Sequence, residues 1–298
     1  MILITIGLVV LVIAASWYLI YRLKPYHVST QDVSKRYSYV QPDPIDLVLS
    51  QMDSCRYSFT YKSFDGENVN GQLHFPADVK NTAEPVPVLI GMHAMGRSHE
   101  RWFQDNIGGR KTVENTHKIT ELALEKGYAV VAIDARKHGK RKDPKQSVNN
   151  IISDMHRWGK REPYENMLVD TVKDLRVLID CLQSRPEFDN TKIQIAGYSM
   201  GAHICLLLAA VDPRVSKVAA IAPPFAGDKT AIVSPKNIMP NLAQCVFWLF
   251  SSDNDEYASK KENELLFAAL PGYDKRHFTF DSNHILPESY VDNLNMWL

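Results

Sequence analysis

Gly197-Tyr198-Ser199-Met200-Gly201 lies between a short β-type run, 192–196, and an apolar helical run, 202–210. Glycines two before and two after a serine, at a strand-to-helix boundary, suit a tight corner where a side chain at either place would crowd the backbone. Such a corner exposes the serine hydroxyl at the carboxyl edge of a sheet, the arrangement called a nucleophile elbow. The five letters alone are moderately specific; the strand before them and the helix after them give them weight.

Outward from that corner the chain alternates strand and helix. Segment 86–92 reads as a strand, 116–125 as a helix ended by Gly127, and 128–134 as a second buried strand. Leu168, Val172, Leu175, Ile179 and Leu182 recur at spacings of four and three, one apolar face of a helix that the core would cover. Strands at 215–222, 246–251 and 277–280 and a final helix at 288–297 complete the pattern. Repeated β-α units predict an α/β fold, a mostly parallel, doubly wound sheet with helices on both faces. Runs 57–63 and 69–75, separated by Asp65 and Gly66, predict an antiparallel hairpin ahead of it. Ligands of such sheets bind beyond the carboxyl ends of the strands, where Ser199 would stand.

The amino terminus differs from all of this. Ile2–Tyr21 carries no charged side chain, and at about 1.5 Å per residue a helix of that length matches the roughly 30 Å hydrocarbon layer. It reads as one transmembrane helix, with Trp17, Tyr18 and Tyr21 in the interfacial belt and Arg22 and Lys24 among the headgroups. The competing reading is a cleaved signal with Ala14, Ala15 and Ser16 at its cleavage site, although it lacks a basic n-region. Arg22, Lys24, Lys35 and Arg36 after the span favour a cytoplasmic body by the positive-inside rule; a cleaved signal would make it secreted or periplasmic. The expected domain plan is an anchor, 1–24, a linker, 25–54, and an α/β domain, 55–298, that carries Ser199. The linker, with Pro25, Pro42 and Pro44, reads as a tether with one short helix around 45–52.

Composition narrows the chemistry. The 298 residues carry 34 basic and 34 acidic side chains, a balance that does not point to nucleic acid as a partner. Cys55, Cys181, Cys205 and Cys245 are scattered, without C-x-x-C or zinc-finger spacing, and read as free thiols. His27, His74, His99, His117, His156, His203 and His277 form no H-E-x-x-H or comparable cluster. With no phosphate loop or dinucleotide fingerprint either, neither a metal nor an organic cofactor is expected.

Several ordered stretches accompany the elbow. Gly91 to Gly96 reads G-M-H-A-M-G and Asp134 to Gly139 reads D-A-R-K-H-G, each at a strand end. After the elbow come S-S-D-N-D-E-Y, 251–257, and D-S-N-H, 281–284. With these the chain, over 57–298, resembles the α/β-hydrolase superfamily, in particular its dienelactone-hydrolase-like and prolyl-oligopeptidase-like serine esterase and peptidase branches. The order of nucleophile, acid and histidine is that superfamily's.

A serine hydroxyl needs a base within hydrogen-bond reach to attack a carbonyl, and His284 is the candidate. A carboxylate must hold the histidine's tautomer and stabilise its imidazolium. Asp255 is the candidate, by a resemblance that aligns Ser252 with a glycine of related enzymes, and Asp253 is second. Donors for the oxyanion would be the Met200 N–H after the nucleophile and, by resemblance, the Met95 N–H. Ala94 stands where many relatives have glycine. His93 and His138 read as structural residues of their turns.

Two further stretches bear on substrate and surroundings. Arg136, Lys137, Lys140, Arg141, Lys142, Lys145, Arg157, Lys160 and Arg161 outnumber Asp143, Asp154 and Glu162, so 136–161 reads as a solvated basic loop, a contact for anionic headgroups, or a trap for an acidic acyl substrate. Segment 223–244, with Phe225, Ile232, Ile238 and Met239, reads as a small apolar cap or as cover for the sheet edge. The expected activity is a serine hydrolase cleaving a small-molecule carboxylic ester through an acyl-enzyme. A thioesterase or peptidase using the same residues, and a noncatalytic binding domain, are the alternatives.

Overall fold

The computed structural model describes residues 2–77, 84–239, 245–271 and 274–298. Helix α1 (Ile2–Tyr21) projects from the body with its described side chains exposed, and its last turns, at Trp17 and Tyr21, meet Trp158. Then come α2 (Thr30–Tyr37) and strands β1 (Leu47–Gln51), β2 (Arg56–Lys62), β3 (Asn68–His74) and β4 (Val86–Met92). A small ribbon, β5 (Asn106–Ile107) with β6 (Arg110–Lys111), precedes α3 (Thr116–Glu125) and β7 (Ala129–Ile133). Helices α4 (Val148–Trp158) and α5 (Glu162–Gln183) lead to β8 (Phe188–Tyr198), α6 (Met200–Val211) and β9 (Val215–Ile221). The chain ends with α7 (Pro235–Ile238), β10 (Val246–Ser252), α8 (Lys260–Ala269), β11 (Lys275–Phe280) and α9 (Tyr290–Leu294).

The main sheet runs β1-β2-β3-β7-β4-β8-β9-β10-β11. From β7 onward in that order all neighbours are parallel, while β1, β2 and β3 join antiparallel at one edge. The apolar runs of β4 and β7 follow from this, because a parallel strand in mid-sheet is covered on both faces. Val88, Ile90 and Met92 of β4 face the side covered by α5 and α6, and Leu89 faces the side of Trp102, α3 and α9. Leu168, Val172, Leu175, Ile179 and Leu182 of α5 are fully buried, as their spacing predicts. This is the α/β-hydrolase arrangement, preceded by one helix long and apolar enough to cross a membrane.

Two expectations are corrected. Residues 45–52 hold no helix: β1 pairs with β2, Leu47 opposite Tyr61 and Leu49 opposite Phe59. Its alternation, Leu47 buried and Val48 exposed, is the period of a strand. The helix of this segment is α2, started by a capping box between Ser29 and Asp32. Nor is 25–54 a free linker. Val33 and Tyr37 are buried, and three tyrosine hydroxyls bind the body: Tyr26 donates to Glu165 at 2.6 Å, Tyr37 to the Ile232 carbonyl at 3.0 Å, and Tyr39 to Asp180 at 2.6 Å.

The basic stretch after Asp134 is only partly solvated, and it is not all loop, since α4 (Val148–Trp158) lies within it. Arg136 and Arg141 turn inward onto Asp174 of α5, whose carboxylate is fully buried, at 2.6 Å each. Arg136 also reaches Asp65 at 2.7 Å. A buried carboxylate must be paired, and Asp174 recruits the two arginines that the sequence places near the surface. Lys137 pairs with Asp143 and Lys160 with Asp154, at the surface.

Candidate active site

The elbow forms where β8 ends and α6 begins, and its geometry follows from close packing. Ser199 holds φ 54°, ψ −118°, a conformation few side chains tolerate, at the N-terminus of α6. A Cβ on Gly201 would lie 2.1 Å from the Met92 carbonyl oxygen, and one on Gly197 would lie 2.3 Å from the Gly201 carbonyl carbon. Both positions therefore require glycine, which brings the first turn of α6 against β4 and holds the serine outward.

The Ser199 hydroxyl lies 2.8 Å from His284 Nε2. On the other side of the ring, Nδ1 lies 3.0 and 2.9 Å from the two Asp255 carboxylate oxygens. A chain of hydroxyl, imidazole and carboxylate thus connects three loops at the carboxyl ends of β8, β10 and β11. The Asp255 side chain is 1% exposed, so solvent does little to screen it. Asp255 also accepts the Tyr257 N–H at 2.8 Å, which fixes the turn. Asp253, two residues earlier, faces Lys260 Nζ at 3.2 Å, while the hydrogen bonds of His284 go to Asp255, Glu256 and Ser199.

Several groups that sequence reasoning passed over hold the histidine loop. Tyr198, the residue before the serine, donates its hydroxyl to the His284 carbonyl at 3.0 Å and accepts the Leu286 N–H at 2.9 Å. Burial pushes its phenol well above the usual range, so it stays neutral and able to donate. Glu256 accepts the His284 N–H at 3.2 Å, and the Tyr257 ring meets the imidazole edge-on at 4.6 Å. Ser252 bonds the Ser282 carbonyl and so ties the acid's turn to the histidine's. Their aromatic or polar character at motif positions was the available signal, since Tyr198 is the second residue of the elbow itself.

Met200 opens α6, and its N–H is one of the amides that a helix leaves without an intrahelical partner. Met95 lines the same cavity as Ser199 and His284, in the turn after β4. Ala94 fits that turn, because the left-handed residue there is Gly96, at φ 75°. His93 is inside: its Nε2 accepts the Ala135 N–H at 3.1 Å and its Nδ1 donates to the Ala94 carbonyl at 2.8 Å. Burial, with His138 beside it, lowers its pKa to about 3, leaving a neutral ring that joins the two strand-end turns. Asp134 anchors the neighbouring loop through His99, Asn70 and the Lys140 N–H. Burial pushes its carboxyl up, but the His99 hydrogen bond and charge and the Asn70 bond outweigh this and hold it well below the carboxylate range.

The cavity above Ser199 measures about 990 Å³. Met95, Ile152, Met155, Tyr164, Phe225 and Ile285 give it apolar walls, and Glu114 with Arg97 a polar corner. Glu114 is bound by Arg97 and Arg101 at 2.8 Å each; burial alone would raise its pKa, but the arginines hold it below its ordinary value. Of the expected cap, Phe225 and Lys236 line the cavity while Ile238 and Met239 sit in the core; residues 240–244 lie outside the described residues. Among the described residues, no three His, Cys, Asp or Glu side chains gather as metal ligands would.

Fold and motif together define a hydrolase of the α/β-hydrolase superfamily. Residues 103–279 match the dienelactone hydrolase family, and the chain belongs to it. YtaP of Bacillus subtilis, named as a hydrolase, is 30% identical over 154 residues, 50% of this chain; the match spans about half, 48%, of that protein. Among solved structures, acetyl xylan esterase 1 of a Thermoanaerobacterium species has a TM-score of 0.65 at 16% identity, covering 91% of this chain and 98% of that one. The acetyl xylan esterase of Paenibacillus sp. R4 has a TM-score of 0.62 at 15% identity, with coverage of 92% and 96%. The Pyrococcus furiosus esterase Pf2001 has 0.59 at 16%, with 92% and 98%. At such identities the likeness is one of fold.

Proposed function

We propose that the protein is a serine esterase held to a membrane by α1, with Ser199 as nucleophile, His284 as base and Asp255 as the carboxylate that orients it. The observation that carries this reading is the unbroken chain from Ser199 Oγ to His284 Nε2 and from Nδ1 to Asp255. Ser199 Oγ forms a bond to the ester carbonyl carbon as its proton passes to Nε2, and the carbonyl oxygen takes up negative charge. The N–H groups of Met200 and Met95 receive that charge, a contribution worth about 3 to 4 kcal/mol for one donor in well-studied enzymes. The tetrahedral centre collapses, the alkoxide leaves with the proton from His284, and water, deprotonated by the same ring, releases the acid and restores Ser199. The esterases among the fold neighbours favour an ester, and a neighbour named as a dipeptidyl aminopeptidase keeps an amide as the second reading.

The anchor reading rests on an uncharged α1 that meets the length of a bilayer, with no buried residue over Ile4–Tyr21. The test of the catalytic reading is labelling with a fluorophosphonate probe alongside hydrolysis of p-nitrophenyl acetate. Wild type labels and turns over; Ser199→Ala, folded by circular dichroism, does neither. Wild-type ester turnover by folded Ser199→Ala would refute the assignment.

A further inference from the structure

The cavity above Ser199 is not walled by the hydrolase body alone. Leu23 and Pro25, two and four residues beyond the last residue of α1, line it together with Ser199 and His284. Four residues reach at most about 14 Å, while the headgroup layer on each side of a bilayer is roughly 5 to 8 Å deep. Leu23 and Pro25 therefore stand no further from the end of α1 than a distance comparable with one headgroup layer and its margin.

The end of α1 is also docked, which fixes that placement. The Tyr21 carbonyl rests on Gly159, the left-handed cap of α4, where a Cβ would lie 2.4 Å from the oxygen. The rings of Trp17 and Tyr21 meet Trp158 of α4 edge-on, at centroid distances of 6.1 and 5.1 Å. Trp158 is still 44% exposed and, beside Trp17 and Tyr21, places a residue of the body in the aromatic belt of the span. A second cavity of about 330 Å³ begins among Trp17, Tyr18 and Tyr21 and shares Leu23, Pro25, His156 and Lys229 with the active-site cavity. Arg22, Lys24 and Lys229 stand exposed at that junction. Beyond it, Ile152 and Met155 of α4 give the active-site cavity an apolar wall.

We infer that the active site opens onto the headgroup layer, along the junction of α1 with α4, and that its substrate is an amphiphilic ester drawn from the bilayer. This rests on the serine-esterase reading and on α1 as an uncleaved anchor. An acyl chain follows the apolar wall to Ser199, while Arg22, Lys24 and Lys229 attract the anionic surface from which it comes.

The test uses the full-length protein in vesicles of phosphatidylcholine with phosphatidylglycerol, with 4-methylumbelliferyl oleate in the bilayer and 4-methylumbelliferyl acetate in the water. A variant combining Trp158→Ala with an insertion of about ten Gly/Ser residues between Arg22 and Leu23 frees the body by roughly 17 Å. Trp158 does not line the catalytic cavity, and the insertion leaves the side chains of Leu23 and Pro25 in the chain, so acetate turnover reports whether that wall is kept. The variant keeps kcat/KM for the acetate within about twofold and loses about tenfold or more for the oleate, as the local concentration of lipid at the mouth falls. Unchanged oleate turnover would overturn the inference, and so would a parallel loss on both esters. A mature chain beginning at Trp17 would overturn it while leaving the esterase standing. Absence of fluorophosphonate labelling and of acetate turnover in the wild type would instead remove the esterase reading itself.

Discussion

Replacing Asp255 with asparagine separates orientation from bulk. The carboxylate now presents both oxygens to His284 Nδ1, at 3.0 and 2.9 Å, from a site with 1% side-chain exposure. An amide keeps one acceptor and turns an NH₂ group toward the ring, which favours the tautomer with its proton on Nε2. That proton then points at Ser199 Oγ, 2.8 Å away, and the ring cannot take the hydroxyl proton. No full negative charge remains to stabilise the imidazolium. The same change in serine proteases lowers turnover by about ten-thousandfold, which is about 5.4 kcal/mol of barrier at 1.36 kcal/mol per decade. The Tyr257 N–H keeps its acceptor in the asparagine oxygen, so the turn and the melting temperature should hold. Asp253→Asn removes only a surface pair with Lys260 and should leave turnover within about threefold. Steady-state hydrolysis of p-nitrophenyl acetate by both folded variants is the assay. More than about one-hundredth of wild-type turnover in Asp255→Asn would refute the reasoning, as would a collapse confined to Asp253→Asn.

Tyr198→Phe removes the hydroxyl that joins the His284 carbonyl to the Leu286 N–H, and kcat should fall about tenfold with KM unchanged, since the loss of about 1 to 2 kcal/mol falls on the placement of the base; a rise in KM alone would contradict this. Acid should destabilise the fold from near pH 6.5 downward: burial depresses His93 to about 3 and His203 to about 4, so below their unfolded pKa the unfolded chain binds protons the native one refuses. Each buried ring then removes up to about 1.4 kcal/mol per pH unit until its folded pKa is reached, and a urea midpoint flat between pH 7 and about 5 would count against it. A chain beginning at Leu23 should fold, whereas one beginning at Tyr39 loses Tyr26, Val33 and Tyr37 from the body and should be less stable by about 3 kcal/mol or more in urea titration. Equal midpoints would show that these contacts contribute little.

Most strands from 57 onward, with α3, α5 and α6, were legible because β4 and β7 are near-continuous apolar runs and α5 repeats its apolar residues every three or four positions, whereas α4 and α8 were not read from the sequence. The charges after Asp134 were legible only as a count. Their destination depends on Asp174, which sits inside the apolar run of α5 and is met by Arg136 and Arg141 only after the chain has folded back. The acid of the site was ambiguous for a related reason. Asp253 and Asp255 both fit a turn after β10, and what parts them is the path of that turn, set by Ser252 on the Ser282 carbonyl and by the Tyr257 N–H on Asp255.

The segment between α1 and the sheet was the least legible, and its physics explains both the misreading and its consequence. It attaches through tyrosine hydroxyls and a few buried side chains, and the one periodic face, Val33 and Tyr37 of α2, is a single pair too short to read as an amphipathic pattern, so the segment reads as a tether. A tether would have left the body free to turn beneath the membrane. On the proposal that α1 spans a bilayer, the docked segment gives the bilayer a fixed bearing on the proposed site, because Leu23 and Pro25 line the cavity at Ser199 and Tyr26 is bound to Glu165 and to the Ile232 N–H. On that proposal, whatever α1 does to the orientation of the body it does to the mouth of the cavity at Ser199 as well.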